Sequence, residues 1–293
     1  MTNDEHPKTD NRQPTIENRQ STIYTEVLAE GYETIMAHVD YRRWAGYAHD
    51  RLQEHAPAAK WPMGPRSVLE LGCGTGALTR QLQPRGPYRR YLATDGSEAM
   101  LAVARRKARA QSLPVCFRRA RFTRVAADLA EDVLPPGHEP PFDAVLLLYD
   151  GLNYLLDERR VRRLLAEAAR LLRPGGLFLF DQSTPANSAA DRAVFEHEGA
   201  FERADGRAVR YHRASRYDAA RRRHETTFTL VGPDEEQRRT ERHVQRPYDV
   251  VEIRRLVRAS PLAERAAYDG FTIDPPTDRS RRVHWVTQLR GEG

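Results

Sequence analysis

Short apolar segments alternate with amphipathic segments through the middle of the chain. SVLEL, YLATD, FDAVLLL and LFLFD have the length and apolar content of buried strands. DERRVRRLLAEAARLLRPGG, which precedes the last of these, has the periodicity of a helix that ends at Pro174-Gly175-Gly176. The apolar residues of this helix share one face: Val161, Leu164, Leu165, Ala168, Leu171 and Leu172. Fully apolar strands that alternate with helices are typical of a doubly wound, mostly parallel sheet, so the pattern predicts an α/β fold.

The pattern changes after Asp181. Segments such as HETTFTLV and RAVRYHRASRYD alternate between apolar and polar positions in steps of two, which predicts an antiparallel sheet with one face toward solvent. A helix follows at DVVEIRRLV, and GFTIDPP with RRVHWVTQL is predicted to form a closing pair of strands. We therefore predict a main domain of residues 21–189 and 248–293, with residues 190–247 inserted as an antiparallel cap after strand five.

The N-terminal region divides into a polar part and an aromatic part. Residues 1–20 are polar and contain proline, which predicts a disordered tail. From position 24 onward the chain is compatible with helices and is rich in rings: Tyr24, Tyr32, Tyr41, Trp44 and Tyr47. These rings would pack on the core or would line a binding cavity, because tyrosine and tryptophan combine an apolar body with a polar tip.

Composition and charge narrow the class of protein. Only three of the 47 basic residues are lysine, and the 44 arginines are interspersed with 41 acidic residues, so the net charge of +6 does not predict a clustered nucleic-acid surface. No run of about 18 apolar residues suggests a membrane span. Cys73 and Cys116 have neither a disulfide pattern nor a metal-ligand spacing. We expect a cytoplasmic protein without a metal, and the sequence leaves its oligomeric state open.

The segment SVLELGCGTGALTR predicts a ligand-binding loop. Gly72, Gly74 and Gly76 lie between a strand and a helix, where free backbone N–H groups suit a nucleotide or a carboxylate. The next strand ends at Asp95, a carboxylate that can accept hydrogen bonds from ribose hydroxyls. The spacing also fits a dinucleotide-binding loop, but Glu70 beside the loop disfavours a pyrophosphate. S-adenosylmethionine, which carries an ammonium, a carboxylate and a sulfonium, fits these charges better than NAD.

Several segments together resemble one enzyme family. VLELGCGTG is similar to motif I of class I S-adenosylmethionine-dependent methyltransferases, YLATDGSEAML to their second motif and LLRPGGLFLFD to their strand-five signature. DGLNYL, the spacing of Glu241, His243, Gln245, Arg246 and Tyr248, and the N-terminal YETIM and YRRW resemble a small bacterial subgroup with an antiparallel cap. The resemblance covers roughly residues 24 to 290. It implies a Rossmann-like, seven-stranded sheet and in-line methyl transfer from S-adenosylmethionine.

The resemblance also implies a set of site residues. The donor would contact Glu70, Gly72, Gly74, Gly76, Asp95, Gly96, Asp128, Leu129 and Tyr149. The acceptor would contact Tyr32, Tyr41, Trp44, Asn153, Tyr154, Arg246 and Tyr248. Asp150 and His243 are the candidate catalytic bases. The chain departs from the subgroup at Gly151, which replaces a serine, and at Glu33, which replaces an aspartate.

Two alternatives stay open at this point. The acid that contacts adenine should follow the third strand, where the chain has Arg121, so we prefer Asp128, seven residues later. The acceptor is predicted to be a small molecule methylated on nitrogen or oxygen, and an oxygen acceptor would need a general base. A tRNA or other RNA methyltransferase, and a protein that binds the donor without catalysis, are the alternative functions.

Overall fold

A computed structural model describes residues 23–58, 61–190, 195–233 and 238–290. The tail predicted for residues 1–20 lies outside these ranges. The helices are α1 (Glu26–Ile35), α2 (Tyr41–His55), α3 (Ala77–Leu82), α4 (Glu98–Ala110), α5 (Val125–Ala130), α6 (Glu158–Leu171), α7 (Pro185–Ala190) and α8 (Val250–Arg258). The strands are β1 (Ser67–Leu71), β2 (Arg90–Asp95), β3 (Cys116–Arg119), β4 (Phe142–Leu147), β5 (Leu172–Ser183), β6 (Phe195–Glu202), β7 (Ala208–Asp218), β8 (Arg223–Val231), β9 (Arg238–Gln245), β10 (Leu262–Asp269) and β11 (Arg282–Leu289).

The large sheet has seven strands in the order β10-β11-β5-β4-β1-β2-β3. β1 to β5 pair in parallel, whereas β11 is antiparallel to both β5 and β10. The order reverses at β1, so the carboxyl ends of β1, β2, β4 and β5 meet at one edge, where ligands bind in such sheets. The predicted Rossmann-like, mostly parallel seven-stranded sheet is confirmed.

A second, antiparallel sheet lies in sequence between β5 and α8. Its strand order is β6-β7-β8-β9, and each strand pairs with its neighbour along the chain. The predicted antiparallel cap after strand five is therefore confirmed, while the exact boundaries at residues 190 and 247 stay a prediction.

The hydrophobic core has one layer on each face of the large sheet and a third layer beneath the cap. The first layer includes Leu164 and Phe180, and the second includes Leu78 and Ala104. In the third layer, α1 packs against the cap sheet through Leu28, Ile35 and Met36 together with Phe201, Val209, Tyr211, Phe228 and Leu230. α1 thus lies beneath the cap.

Two sequence-based boundaries differ from the structure. α6 ends at Leu171, and Pro174 lies inside β5, because the residue before a proline favours extended backbone. The predicted strand at GFTIDPP was wrong, since β11 pairs instead with β10, Leu262–Asp269. Two prolines in that segment lack the N–H groups that a strand ladder needs.

Candidate active site

The glycine loop follows β1 directly. Gly72, Gly74 and Gly76 have φ values of +65°, +55° and +72°, which side chains with a Cβ rarely adopt. A Cβ on Gly74 would meet no atom within 4 Å, so the loop backbone lies next to open space there. A Cβ on Gly76 would lie 3.2 Å from the Cβ of Ala104, so this glycine lets α3 approach α4. The loop thus leaves room for a ligand at Gly74 and packs tightly at Gly76.

Asp95, at the end of β2, points toward this loop. Its Oδ2 accepts a hydrogen bond from the Gly74 N–H at 2.9 Å, and its Oδ1 accepts one from the Ser97 N–H at 2.8 Å. Burial raises the pKa of Asp95, although the backbone N–H groups of Ser97, Gly74 and Gly96 oppose the rise. The carboxylate is therefore fixed beside the loop, and its predicted contact with a ribose stays a prediction.

Glu70 lies on β1, just before the loop, and is almost fully buried. Its Oε2 accepts hydrogen bonds from the hydroxyls of Thr79 and Tyr91, both at 2.7 Å. Burial raises the pKa of Glu70 to about 7. The side chain connects β1 to α3 and β2, and its predicted contact with the donor stays a prediction.

Asp128 and Arg121, the two candidates for the adenine contact, bind each other. Asp128 accepts hydrogen bonds from the Arg121 backbone N–H at 2.9 Å, from the Arg121 guanidinium and from the Arg124 guanidinium. Burial raises the pKa of Asp128, but these hydrogen bonds outweigh it and lower the pKa. The Arg121 Cγ lies 4.0 Å from the position of a Cβ on Gly96, whereas Leu129 is buried in the core. Both candidates thus lie near one end of β2, and the preference for Asp128 as the adenine contact stays a prediction.

An ion cluster joins the ends of β4 and β5 to β11. Arg282 Nη1 and Nη2 donate to the two Asp150 oxygens at 2.6 and 3.1 Å, and Nη1 also donates to Asp181. The Asp150 N–H lies 3.3 Å from each Asp181 oxygen. Burial raises the pKa of Asp181 to about 7, although Arg282 opposes the rise. Asp150 is therefore one member of a largely buried ion cluster at the carboxyl edge of the sheet.

The backbone just before this cluster has an unusual conformation. Tyr149 and Asp150 have φ values of +66° and +62°, and consecutive left-handed residues with side chains are uncommon. Such strained positions occur often at functional sites. The turn directs the Tyr149 ring toward Trp44, at 5.4 Å, and Tyr41, at 6.0 Å.

Trp44 and Tyr149 also support the ion cluster. The Arg282 guanidinium lies 4.9 Å from the Trp44 ring and 5.8 Å from the Tyr149 ring. Trp44 is buried, with 6% of its surface exposed, so it contributes here as a packing partner of Arg282. Sequence analysis did not single out Arg282 or Asp181.

Tyr24 connects the cap to the sheet edge beside the glycine loop and Asp95, which we call the donor edge because the donor is predicted to bind there. Its carbonyl oxygen accepts a hydrogen bond from the Ser97 hydroxyl at 2.8 Å, and its N–H donates to Glu241 of β9 at 2.6 Å. Its hydroxyl lies 2.6 Å from the hydroxyl of Tyr154, which in turn lies 3.0 Å from His243 Nδ1. The Glu241 Oε2 lies 3.5 Å from His243 Nε2. These groups form a continuous polar chain beneath the cap.

Tyr32 also lies in this part of the site. Its ring is 5.9 Å from the Tyr24 ring, and burial raises the pKa of Tyr32 to about 12. Asp95 and Asp150 both raise this pKa further, so Tyr32 lies within electrostatic reach of the donor edge and of the ion cluster. The structure thus places Tyr32, Tyr154 and His243 around Tyr24, and their predicted roles toward the acceptor stay predictions.

Asn153, Arg246 and Tyr248 form a joint between the cap and the sheet. Asn153 is 1% exposed, and its amide bonds the Ser183 backbone and the Arg246 carbonyl at 2.8–2.9 Å. The Tyr248 hydroxyl donates to the Leu155 carbonyl, and Arg246 pairs with Glu252 at 2.8 Å. These bonds give the three side chains a structural role, and their predicted contact with the acceptor remains untested.

Helix α1 is fastened to the glycine loop by Glu33. Its carboxylate accepts a hydrogen bond from the Thr75 hydroxyl at 2.7 Å and pairs with Arg80 at 2.9 Å and Lys107 at 2.8 Å. Burial raises the pKa of Glu33, but these partners outweigh it and lower the pKa. The glutamate that replaces the subgroup's aspartate therefore holds the helix next to the loop.

Two features are absent from the residues that the structure describes. Within the four described ranges, no group of three or more His, Cys, Asp or Glu side chains is placed to hold a metal ion. None of the helices in those ranges is both long and apolar enough to cross a bilayer.

The sequence of this chain is similar to those of known methyltransferases. A family model described as a methyltransferase domain matches residues 68–176, which include the glycine loop, Asp95 and Asp150. A protein of Geobacillus sp. (strain WCH70), itself provisionally assigned as a methyltransferase, is 27% identical over 274 residues, covering 90% of this chain and 98% of its own.

Two solved structures have the same fold. An S-adenosylmethionine-dependent methyltransferase from Clostridium acetobutylicum ATCC 824 has a TM-score of 0.66 at 20% identity, covering 89% of this chain and 96% of that one. The sugar N-methyltransferase KedS8 from Streptoalloteichus sp. ATCC 53650 has a TM-score of 0.64 at 19% identity, covering 100% and 99%. The likeness extends over the cap as well as the large sheet.

Proposed function

We propose, from the premise that the chain is a class I S-adenosylmethionine-dependent methyltransferase, that it methylates a nitrogen or oxygen atom of a small molecule enclosed beneath the cap. The observation that carries this proposal is the position of Tyr24. Tyr24 makes hydrogen bonds to Ser97 beside the donor edge, to Glu241 of the cap and to Tyr154 after β4. A space bounded in this way suits a compact acceptor better than a long polymer.

The donor fits the residues at the sheet edge. We propose that the glycine loop accommodates its amino-acid part, with open space at Gly74, and that Asp95 binds the ribose hydroxyls. S-adenosylmethionine, when bound, supplies a methyl group on an already activated sulfonium. The chain then has to align the acceptor's lone pair and exclude water, which are positioning effects.

His243 is the better supported of the two candidate bases. Both Asp150 oxygens are paired with Arg282, so that carboxylate is already engaged within the protein. His243 instead lies between Glu241 and the Tyr154 hydroxyl. We propose that a proton leaving a hydroxyl acceptor passes through the Tyr154 hydroxyl to His243, where Glu241 stabilises the resulting charge. An amine acceptor would need only to arrive unprotonated.

The test is methyl transfer from labelled S-adenosylmethionine to an ultrafiltered, low-molecular-mass cell extract, followed by identification of the labelled product. The wild-type protein is expected to label a small molecule. If the acceptor is a hydroxyl, His243→Gln should lower kcat by about a hundredfold or more, in the range for a lost general base, with unchanged donor affinity.

His212→Gln is the matched control, because this histidine is also on the cap but faces away and pairs with Glu196 at 3.7 Å. The control should keep wild-type activity. Donor binding without any labelled product would contradict the proposal and would favour a protein that binds the donor without catalysis.

A further inference from the structure

Arg213 lies on the inner face of the cap sheet. It is on the same face of β7 as Val209 and Tyr211, four and two residues before it, and both belong to the layer packed against α1. Its neighbours across the strands are His197 on β6 and Phe228 on β8. The strand register therefore places Arg213 on the side of the cap that faces the site.

The surroundings of the Arg213 guanidinium connect it to the polar chain described above. Its central carbon lies 5.3 Å from the Phe195 ring and 6.0 Å from the Phe228 ring. The Phe228 ring lies 5.0 Å from the His243 ring. Burial raises the pKa values of Tyr32, Tyr149 and Tyr154, and the charge of Arg213 lowers all three. The guanidinium is thus within electrostatic reach of the tyrosines around the proposed acceptor space.

Arg213 differs from the other charged groups around the site because it has no counter-charge among the residues that the structure describes. Across the described part of the chain, no carboxylate pairs with it, and its Nε is buried without a hydrogen-bond partner. By contrast, Asp150 and Asp181 pair with Arg282, and Glu241 binds the backbone N–H groups of Tyr24 and Thr25. The carboxylates near the site therefore already have partners, whereas the Arg213 guanidinium has no carboxylate partner within the described ranges.

An unpaired buried donor on a cationic side chain is costly, and an anion that accepts its hydrogen bonds removes that cost. Guanidinium groups bind carboxylates and phosphates through two parallel hydrogen bonds. We propose that the methyl acceptor carries a carboxylate or phosphate group and that Arg213 binds this group beneath the cap. This inference rests on the proposed function and adds the chemical class of its substrate.

The experiment separates the low-molecular-mass extract on an anion-exchange resin and offers the retained and unretained fractions to the protein with labelled donor. Label is expected in the retained fraction. With the acceptor purified from it, Arg213→Gln should lower kcat/KM about tenfold to a hundredfold, mainly through KM, as for a lost charge-assisted hydrogen bond. Arg213→Lys should have a kcat/KM between those of the wild type and Arg213→Gln. Phosphatase treatment of the retained fraction removes the substrate if the anion is a phosphate ester and leaves it if the anion is a carboxylate.

Arg216→Gln is the matched control. Arg216 lies three residues along the same strand on the opposite face, is 72% exposed and pairs with Glu225 at 2.7 Å. The Arg216→Gln variant should methylate the acceptor with the kcat/KM of the wild type. Calorimetry with S-adenosylhomocysteine checks the donor site, and Arg213→Gln should bind it with wild-type affinity.

Three results would overturn the inference. One is an acceptor found in the unretained fraction, and another is an Arg213→Gln variant with wild-type kcat/KM. The third is weakened S-adenosylhomocysteine binding in Arg213→Gln, because Arg213 would then serve the donor or the fold. The absence of labelled product from both fractions with wild-type protein would instead contradict the proposed function itself.

Discussion

Asp95 and Glu70 are both buried carboxylates beside the glycine loop, but their partners differ. Asp95 binds backbone N–H groups of the loop and of the turn before α4, whereas Glu70 binds two hydroxyls. Backbone N–H groups stabilise a carboxylate in a fixed position, ready to accept further hydrogen bonds. Glu70 lies behind the loop in the core, where its charged form is costly.

The pKa of Glu70 gives a prediction at the residue scale. Its usual value is near 4.5, and burial raises it to about 7 in the folded protein. The folded state thus holds the proton more tightly, so the stability contributed by Glu70 is present below about pH 4.5 and is lost as the pH rises toward 7. Relative to Glu70→Gln, the wild type should lose on the order of 2 to 3 kcal/mol of unfolding free energy between about pH 5 and pH 8.

Urea unfolding of both proteins at the two pH values measures this difference. Glu131→Gln, at a glutamate with 72% of its side chain exposed, is the control. A difference between wild type and Glu70→Gln that does not change with pH would show that the Glu70 carboxyl titrates normally in the folded protein.

Sequence spacing was sufficient to predict the loop and Asp95, because both belong to consecutive elements with short connections. It was not sufficient for Arg282, which lies on β11 and reaches Asp150 and Asp181 from 132 and 101 residues away. An arginine in an arginine-rich chain gives no local signal. Its partners become visible only when the antiparallel pairing of β11 with β5 is known.

At the scale of elements, three strands meet in the Asp150–Arg282–Asp181 cluster. Removal of the guanidinium would leave two carboxylates close together, one of them, Asp181, fully buried. We predict that Arg282→Gln lowers the free energy of unfolding by about 3 to 5 kcal/mol at neutral pH, the typical cost of breaking a buried ion pair. The loss should be smaller at acidic pH, because burial raises the pKa of Asp181 to about 7 and this carboxyl takes up a proton below that pH.

Urea unfolding near pH 5 and near pH 8 tests this prediction. Arg281→Gln, at the exposed neighbouring arginine, is the matched control. A loss below about 1 kcal/mol for Arg282→Gln, as for an exposed pair, would show that the cluster is not a stabilising connection between the strands.

Elements with a clear hydrophobic periodicity could be predicted from the sequence, whereas elements without one could not. β1, β2, β4 and α6 are apolar or amphipathic throughout, and the sequence predicted each of them. β10 reads LAERAAYD, in which charged residues interrupt any alternation, so the strand was placed instead at the more apolar GFTIDPP. The pairing of β10 with β11 therefore makes residues 262–269 a strand, although their local sequence pattern does not favour one.

At the scale of the whole molecule, α1 and the cap together cover the donor edge. α1 packs on the cap through one face and is fastened to the glycine loop by Glu33. The alternating pattern predicted the cap as a sheet, but not its packing on α1. That packing depends on contacts between residues 28–36 and 201–230, which are too far apart in the sequence for a local pattern to predict.

Charge distribution gives the prediction at this scale. Many surface arginines pair with acids, as Arg118 does with Asp132 at 2.8 Å and Arg124 with Asp128 at 2.6 Å. Such pairing leaves little unbalanced positive surface for a polyanion. We therefore expect no gel shift of bulk tRNA at physiological salt, with a basic tRNA-binding protein as the positive control. A shift that weakens steeply with ionic strength would favour the RNA methyltransferase alternative.

The central claim is that the glycine loop and Asp95 bind S-adenosylmethionine, and calorimetric titration with this donor tests it most directly. The wild type should bind at one site, and Asp95→Ala should bind about tenfold to a hundredfold more weakly, as for hydrogen bonds lost from a charged group. Asp95→Asn, which keeps one acceptor oxygen for the loop, should have an affinity for the donor between those of the wild type and Asp95→Ala. Asp205→Ala, in an exposed turn of the cap, should bind the donor with wild-type affinity. Equal affinity of the wild type and Asp95→Ala, or no binding by either, would contradict the claim.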